Sequence, residues 1–162
     1  MNSDDPSRLL DLFNEISVIE QLGRILVDAR LPADLIGPQF RVLDYLVRVA
    51  DGRTPVELAR AFQVPKTTLT HTLSRLDRQG LVRTLPNPND RRSKCIWTTE
   101  KGRAARAQVA AELSSDLEKL AQTFGAERMS NLLTQLKAMR DILVESRTAE
   151  LPRDSQFAIA DD

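Results

Sequence analysis

Side chains that bind transition metals or act as soft nucleophiles are scarce in this chain, which has one histidine, His71, and one cysteine, Cys95. A structural zinc usually takes four ligands from that set, so none is expected. No glycine-rich phosphate loop occurs. A Cys–His dyad would have to join Cys95 to His71, and both lie in a segment whose other polar residues have a different chemistry. That chemistry is cationic and hydroxylic. Residues 60–106 hold eleven Lys/Arg (Arg60, Lys66, Arg75, Arg78, Arg83, Arg91, Arg92, Lys94, Lys101, Arg103, Arg106) against three acids (Asp77, Asp90, Glu100). The segment is therefore +8 in a chain of zero formal net charge, and the remainder is correspondingly acidic. A basic patch in an acidic frame points to a polyanionic partner, nucleic acid first. Chance clustering on a solvated face is the alternative, and the motifs must decide. No enzyme, metal or cofactor is expected.

The hydroxyls and some of the cations fall on one predicted helix, from about Pro65 to Gln79 and stopped by Gly80. At about 100° per residue, Leu69, Leu73 and Leu76 share one narrow arc and should face a core. Opposite them lie Thr67, His71, Ser74 and Arg78, with Thr68, Thr70 and Arg75 nearer the edges. Short hydroxyl side chains let a helix sit deep in a major groove and bond to bases or phosphates. Lys66 and Arg78, at the two ends, are placed for phosphate. A merely solvated face would ordinarily mix Glu with Lys, whereas the acid on this helix is Asp77 alone.

A second cluster, Asp90-Arg91-Arg92, sits at the tip of a predicted β-hairpin. Leu81 to Leu85 and Lys94 to Thr98 read as strands, and Pro86-Asn87-Pro88-Asn89-Asp90 as a long tip of turn residues. A guanidinium there can enter a narrow minor groove, and Asp90 is expected to orient a neighbouring arginine by an ion pair. Taken alone, the tip reads equally well as a solvated turn.

The elements that must position these groups are mostly helical. A first helix is expected from about Pro6 to Ala29, with Leu9, Leu12/Phe13, Ile16, Ile19, Leu22 and Ile25/Leu26 on one stripe. Gly37-Pro38 opens a second, burying Phe40, Val42/Leu43, Leu46/Val47 and Ala50 and ending at Asp51-Gly52. Thr54-Pro55-Val56-Glu57 is a capping box that starts a short third helix, with Leu58, Ala61 and Phe62 available to the core. The turn from there to the Pro65 helix is brief, which makes a helix-turn-helix, and the following hairpin is a wing. Thr99 begins a long helix whose Ala110, Leu113, Leu117, Leu120 and Phe124 form a coiled-coil-like seam, or else an ordinary core stripe. After Gly125 a last helix carries Met129, Leu132/Leu133, Leu136, Met139 and Leu143.

The stretch from Gly37 to Gly102 resembles the MarR (multiple antibiotic resistance regulator) family. The matching residues are Pro38 to Leu43, Thr54 to Ala61, Thr68-Leu69-Thr70 with Arg75-Leu76, Gln79 to Arg83, Asn87 to Arg92, and Thr98 to Gly102. The resemblance implies a dimer with intertwined terminal helices, whose two recognition helices address successive major grooves of a pseudo-palindromic operator. It matches Asp90 and Arg92 to the family's wing pair, with Arg92 in the minor groove. A repressor is the first expectation, with an activator sharing every feature named so far, and the resemblance leaves room for release by a small anionic or phenolic effector. Two positions depart from the pattern: Pro65 stands where a serine N-cap is usual, and His71 where an arginine is common.

The expected fold class is therefore mainly α with a small β-hairpin wing. Residues 1–36 are read as an N-terminal dimerisation helix, 37–102 as the winged helix-turn-helix, 103–146 as C-terminal dimerisation helices and 147–162 as a flexible tail. Double-stranded DNA and a second copy of the chain are the expected partners; a winged-helix protein–protein adaptor is the competing reading. Apolar stretches are too short to span a bilayer, the acidic start lacks a signal-peptide h-region, and a single cysteine suits the cytoplasm. Cys95, beside Lys94, is read as a structural thiol rather than a redox sensor. Phe40, Tyr45 and Trp97 are read as core rather than as the lining of a ligand pocket. The residues that bind an effector are not identified by the sequence.

Overall fold

A computed structural model describes residues 6–150, apart from the side chains of Pro6, Arg91 and residues 147–150. The elements are α1 (Pro6–Asp28), α2 (Gly37–Arg48), α3 (Pro55–Phe62), α4 (Lys66–Arg78), β1 (Val82–Asn87), β2 (Asp90–Thr98), α5 (Glu100–Phe124) and α6 (Ala126–Glu150). Residues up to Leu113 form one compact unit and those from Ser114 a second. The class is the expected one, mainly helical with one antiparallel hairpin.

The first unit is built on a core in which Leu43, Leu46, Leu58, Leu76 and Val109 are almost wholly buried, so that α2, α3, α4 and α5 each supply a member. On α3 the inward alanine is Ala59 instead of the expected Ala61, which is exposed. The helix has only eight residues, too few for its periodicity to fix which of two neighbouring alanines turns inward. On α5 the seam divides: Leu113 is buried, whereas Leu117 and Leu120 are 49% and 54% exposed.

Local chemistry explains where the helices begin and turn. Thr54 Oγ1 accepts the Glu57 N–H at 3.3 Å, and Glu57 Oε2 accepts the Thr54 N–H at 2.8 Å, which closes the expected capping box. Donation from the Thr54 backbone and then its hydroxyl, with Arg53 alongside, holds the Glu57 carboxyl below its ordinary pKa. The turn into α4 passes through Gln63, in the left-handed region at φ 53°. Its side-chain amide donates to the Arg60 carbonyl at 2.6 Å.

The hairpin is longer than expected and its connection shorter. β1 continues through Pro86 and Asn87, leaving Pro88-Asn89 as the link. Proline is tolerated because the sheet has two strands and its missing N–H faces no neighbour. Pro86 pairs with Lys94 and Asn87 with Asp90, so Arg91, Arg92 and Ser93 are extra residues on β2 and bulge there. What reads as a long tip is a tight turn beside a bulge. The opposite edge of β2 gains a further rung, in which the Ile96 N–H donates to the Arg53 carbonyl at 2.8 Å. At the neighbouring Gly52 (φ +74°) a Cβ would stand 2.5 Å from the Trp97 ring. α6 runs to Glu150, past the expected boundary at residue 146, and the expected tail beyond it lies outside the described residues.

Gly102, in the first turn of α5, lies so close to the hairpin that a Cβ would be 2.0 Å from the Leu81 carbonyl oxygen. Gly102→Ala should therefore destabilise the fold by about 1–3 kcal/mol, as overpacking does, and lower the midpoint of thermal unfolding. For Glu57 the charged form is favoured by folding, so its contribution is complete above the ordinary carboxylate range and fades as pH falls below it. The difference in melting temperature between the wild type and Glu57→Gln should be largest at neutral pH and shrink in acid.

Candidate nucleic-acid interface

α4 presents the expected face. Leu69, Leu73 and Leu76 are buried, whereas Lys66, Thr67, Thr68, Thr70, His71, Ser74, Arg75 and Arg78 are exposed. The helix packs on α2, α3 and β1, which leaves the hydroxyl and basic side outward. Pro65 occupies the N-cap position and supplies no side-chain cap. Two of these exposed side chains turn back on the helix, as does Thr72. The Thr70 hydroxyl donates to the Lys66 carbonyl at 2.8 Å, and Arg78 Nε to the Ser74 carbonyl at 3.3 Å. Thr70 thus keeps only acceptor capacity for an incoming group.

Asp90 and Arg92 are exposed at the wing, and they meet through the backbone. Asp90 Oδ1 accepts the Arg92 backbone N–H at 3.0 Å, and no described carboxylate pairs with the Arg92 guanidinium. The aspartate shapes the bulge as an Asx turn and leaves the guanidinium unpaired. Asn87 Nδ2, donating to Ser93 Oγ at 2.8 Å, braces the same bulge. The Arg91 side chain lies outside the described ones.

Ion pairing divides the basic segment in a way that a charge count does not show. Arg103 donates to Asp51 at 2.8 Å, and Arg106 to Asp44 at 2.9 Å, an aspartate that also takes Arg48. Lys66, Arg75, Arg78 and Arg92 enter no ion pair among the described residues. Arg103 and Arg106 are thus paired with aspartates of the acidic frame, and the outward cations of α4 and the wing stay available for an anion.

Several positioning residues escape a reading by motif. Asp51 Oδ1 accepts from the Thr98 N–H at 2.9 Å, the Thr98 hydroxyl at 3.2 Å and the Gly52 N–H at 3.1 Å. With Arg103 on its other oxygen, one carboxylate joins the end of α2 to β2 and α5. Thr99 caps α5 through the Gly102 N–H at 3.0 Å and donates to the Gly80 carbonyl at 2.7 Å. Lys101 Nζ donates to the Gln79 carbonyl at 2.8 Å. The sequence signals were the Asp51-Gly52 helix stop and the Thr98 to Gly102 motif, neither of which names its distant partner.

A cavity of about 420 Å³ lies beside the core, lined by α1 (Glu20, Gly23, Arg24), α2 (Phe40, Tyr45) and Phe62 of α3 among others. Tyr45 and Phe62 meet edge to face there, with ring centroids 5.3 Å apart. Two of the aromatics read as core, Phe40 and Tyr45, therefore also line this cavity, whereas Trp97 covers Gly52. Cys95 is buried on β2. No group of three or more His, Cys, Asp or Glu that could hold a metal occurs among the described residues.

A helix-turn-helix followed by a two-stranded wing, with cations on both that enter no ion pair among the described residues, defines a winged helix-turn-helix protein. Residues 33–93 match the model of the MarR family. The multiple antibiotic resistance protein MarR of Escherichia coli K12 is 35% identical over 136 residues, covering 78% of this chain and 94% of that protein; MarR of Salmonella typhimurium gives the same figures. A mutant E. coli MarR solved with operator DNA superposes with a TM-score of 0.68 at 33% identity, over 85% of this chain and 99% of that one. The transcriptional regulator BldR of Sulfolobus solfataricus shares the fold, with a TM-score of 0.72 at 24% identity, over 87% of this chain and 99% of that one. The chain belongs to the MarR family.

Because Asp51 holds a nearly buried Thr98 amide, Asp51→Ala should cost about 1–3 kcal/mol by leaving that donor unpaired. Urea unfolding would show it as a lower midpoint.

Proposed function

We propose that this protein is a homodimeric, DNA-binding transcriptional regulator, a repressor that recognises a pseudo-palindromic operator, and a binding protein rather than an enzyme. The observation that carries the reading is the hydroxyl-rich face of α4, whose cations and the wing arginine are unpaired, in a chain of the MarR family. α4 would enter the major groove with Thr67, Thr68, Thr70, His71, Ser74 and Arg75 toward bases and sugar–phosphate. Lys66 and Arg78 would contact phosphates, and Arg92, with Arg91 beside it and Asp90 shaping the turn, would enter the minor groove. In this scheme residues 37–102 are the reading unit, and 1–36 and 103–146 are dimerisation elements.

Exposed apolar residues support the dimer. Leu9, Ile19, Leu22 and Ile25 of α1 are each at least 49% exposed in the single chain. Leu132, Leu133 and Leu143 of α6 are at least 41% exposed. Apolar surface of this extent on a monomer marks an interface. The cavity, where Phe40, Tyr45 and Phe62 could pack a ring and where acidic side chains accompany Arg24, would be the place for a small anionic or phenolic effector. No described helix is long and apolar enough to cross a membrane, and work on DNA would place the protein in the cytoplasm.

Gel shift and anisotropy with duplexes selected from a random pool test the reading. The protein should sediment as a dimer and select half-sites centred about 10 bp apart, with binding that falls steeply as salt rises. Lys66→Ala should flatten the salt slope by about one. Arg92→Ala should weaken every duplex with a narrow minor groove, whereas His71→Ala or Ser74→Ala should change base preference. Failure to bind any duplex, or unchanged binding by the Lys66 and Arg92 variants, would overturn it.

A further inference from the structure

The recognition helix has no side-chain cap at its first turn, and tertiary hydrogen bonds hold its other end. There the C-cap residue Gln79 makes two tertiary hydrogen bonds in different directions. Its side-chain Nε2 donates to the backbone carbonyl of Asp34, in the linker between α1 and α2. Its own backbone carbonyl accepts from Lys101 Nζ of α5 at 2.8 Å. One residue therefore ties α4 to two elements distant from it in sequence.

The linker is itself held firmly enough to act as an anchor. Leu35 is buried in the core, and the Leu35 N–H donates to the Pro32 carbonyl at 2.9 Å. The Ile36 N–H donates to Gln39 Oε1 at 3.1 Å, and Gln39 is 99% buried. Gln79 Oε1 is buried without a partner, so no bond at that atom offsets loss of the Nε2 bond. Burial of Leu69, Leu73 and Leu76 fixes which face of α4 turns inward, but such non-directional contacts resist small shifts of the helix weakly. The bonds at Gln79 are directional and so resist changes of height and tilt. His71 and Ser74 lie eight and five residues before Gln79, about 12 and 8 Å along the helix axis. A change of tilt at Gln79 thus reaches the side chains that face a base pair.

We propose that Gln79 is a positioning residue for DNA reading: its amide, bonded to Asp34, and its carbonyl, bonded to Lys101, fix where the outward face of α4 meets the bases. Gln79 itself need touch no DNA. The proposal rests on the DNA-binding function proposed above. It predicts that removing the amide damages sequence discrimination more than it damages attraction to phosphate, since the outward cations are untouched.

The test compares wild type, Gln79→Leu and Gln79→Glu on two probes, the duplex that the wild type selects from a random pool and a scrambled duplex of equal length. Gln79→Glu is nearly isosteric and has no donor at neutral pH. Each variant is expected to lose about fivefold on the selected duplex, the scale of one lost hydrogen bond, and less than twofold on the scrambled one. The salt slope should be retained, and a fresh selection by Gln79→Leu should return a relaxed consensus. Wild-type affinity and an unchanged consensus in either folded variant would overturn the proposal. Equal losses on both duplexes, or collapse of both variants' folds, would assign Gln79 to the fold instead and overturn it too. A wild type that binds neither duplex would refute the DNA-binding function, a result distinct from any of these.

Discussion

The first turn of α5 lies against the backbone that leaves the recognition helix, and Gly102 permits that approach. With no side chain at that position, α5 can lie against the Leu81 carbonyl while Thr99 and Lys101 bond the carbonyls of Gly80 and Gln79. These carbonyls lie just past the end of α4, whose last-turn carbonyls are already served by the Gln79, Gly80 and Leu81 N–H groups. One turn of α5 thus closes α4, starts the wing and aligns itself. Displacing it would disturb all three.

Asp51 and Asp44 act on the same side of this junction. Each is a half-buried carboxylate that takes an arginine of α5, and Asp51 also takes the end of β2. Exposed ion pairs contribute little to stability. These pairs are partly shielded and share their carboxylates with other donors, so they fix geometry more than they add energy. They also remove Arg103 and Arg106 from the cationic surface. The effective basic face is smaller than the local charge suggests, and it is concentrated on α4 and the wing.

Helix periods, the Thr54 capping box, the inward leucines of α4 and the wing motif were all legible, because each depends on residues within a few positions of one another. The hairpin's shape was less so. Turn-forming residues from Pro86 to Asp90 read as a loop, whereas cross-strand pairing extends β1 through Pro86 and places the surplus residues in a bulge on β2. Ala59 was missed for Ala61 because a two-turn helix defines its inner face poorly. The bond from the Arg92 backbone amide to Asp90 was not legible, because it depends on the conformation of the bulge.

Residue types and their spacing were enough to determine that this chain forms a winged helix-turn-helix and which side of α4 faces outward, since amphipathic period and local capping are properties of short segments. Only the tertiary structure decided which cations stay unpaired and what holds the recognition helix in place. Those outcomes depend on contacts across 22 residues for Lys101 with Gln79, 45 for Gln79 with Asp34 and 52 for Arg103 with Asp51. Spacing along the chain carries no information about such pairs until packing of the core has brought the helices together.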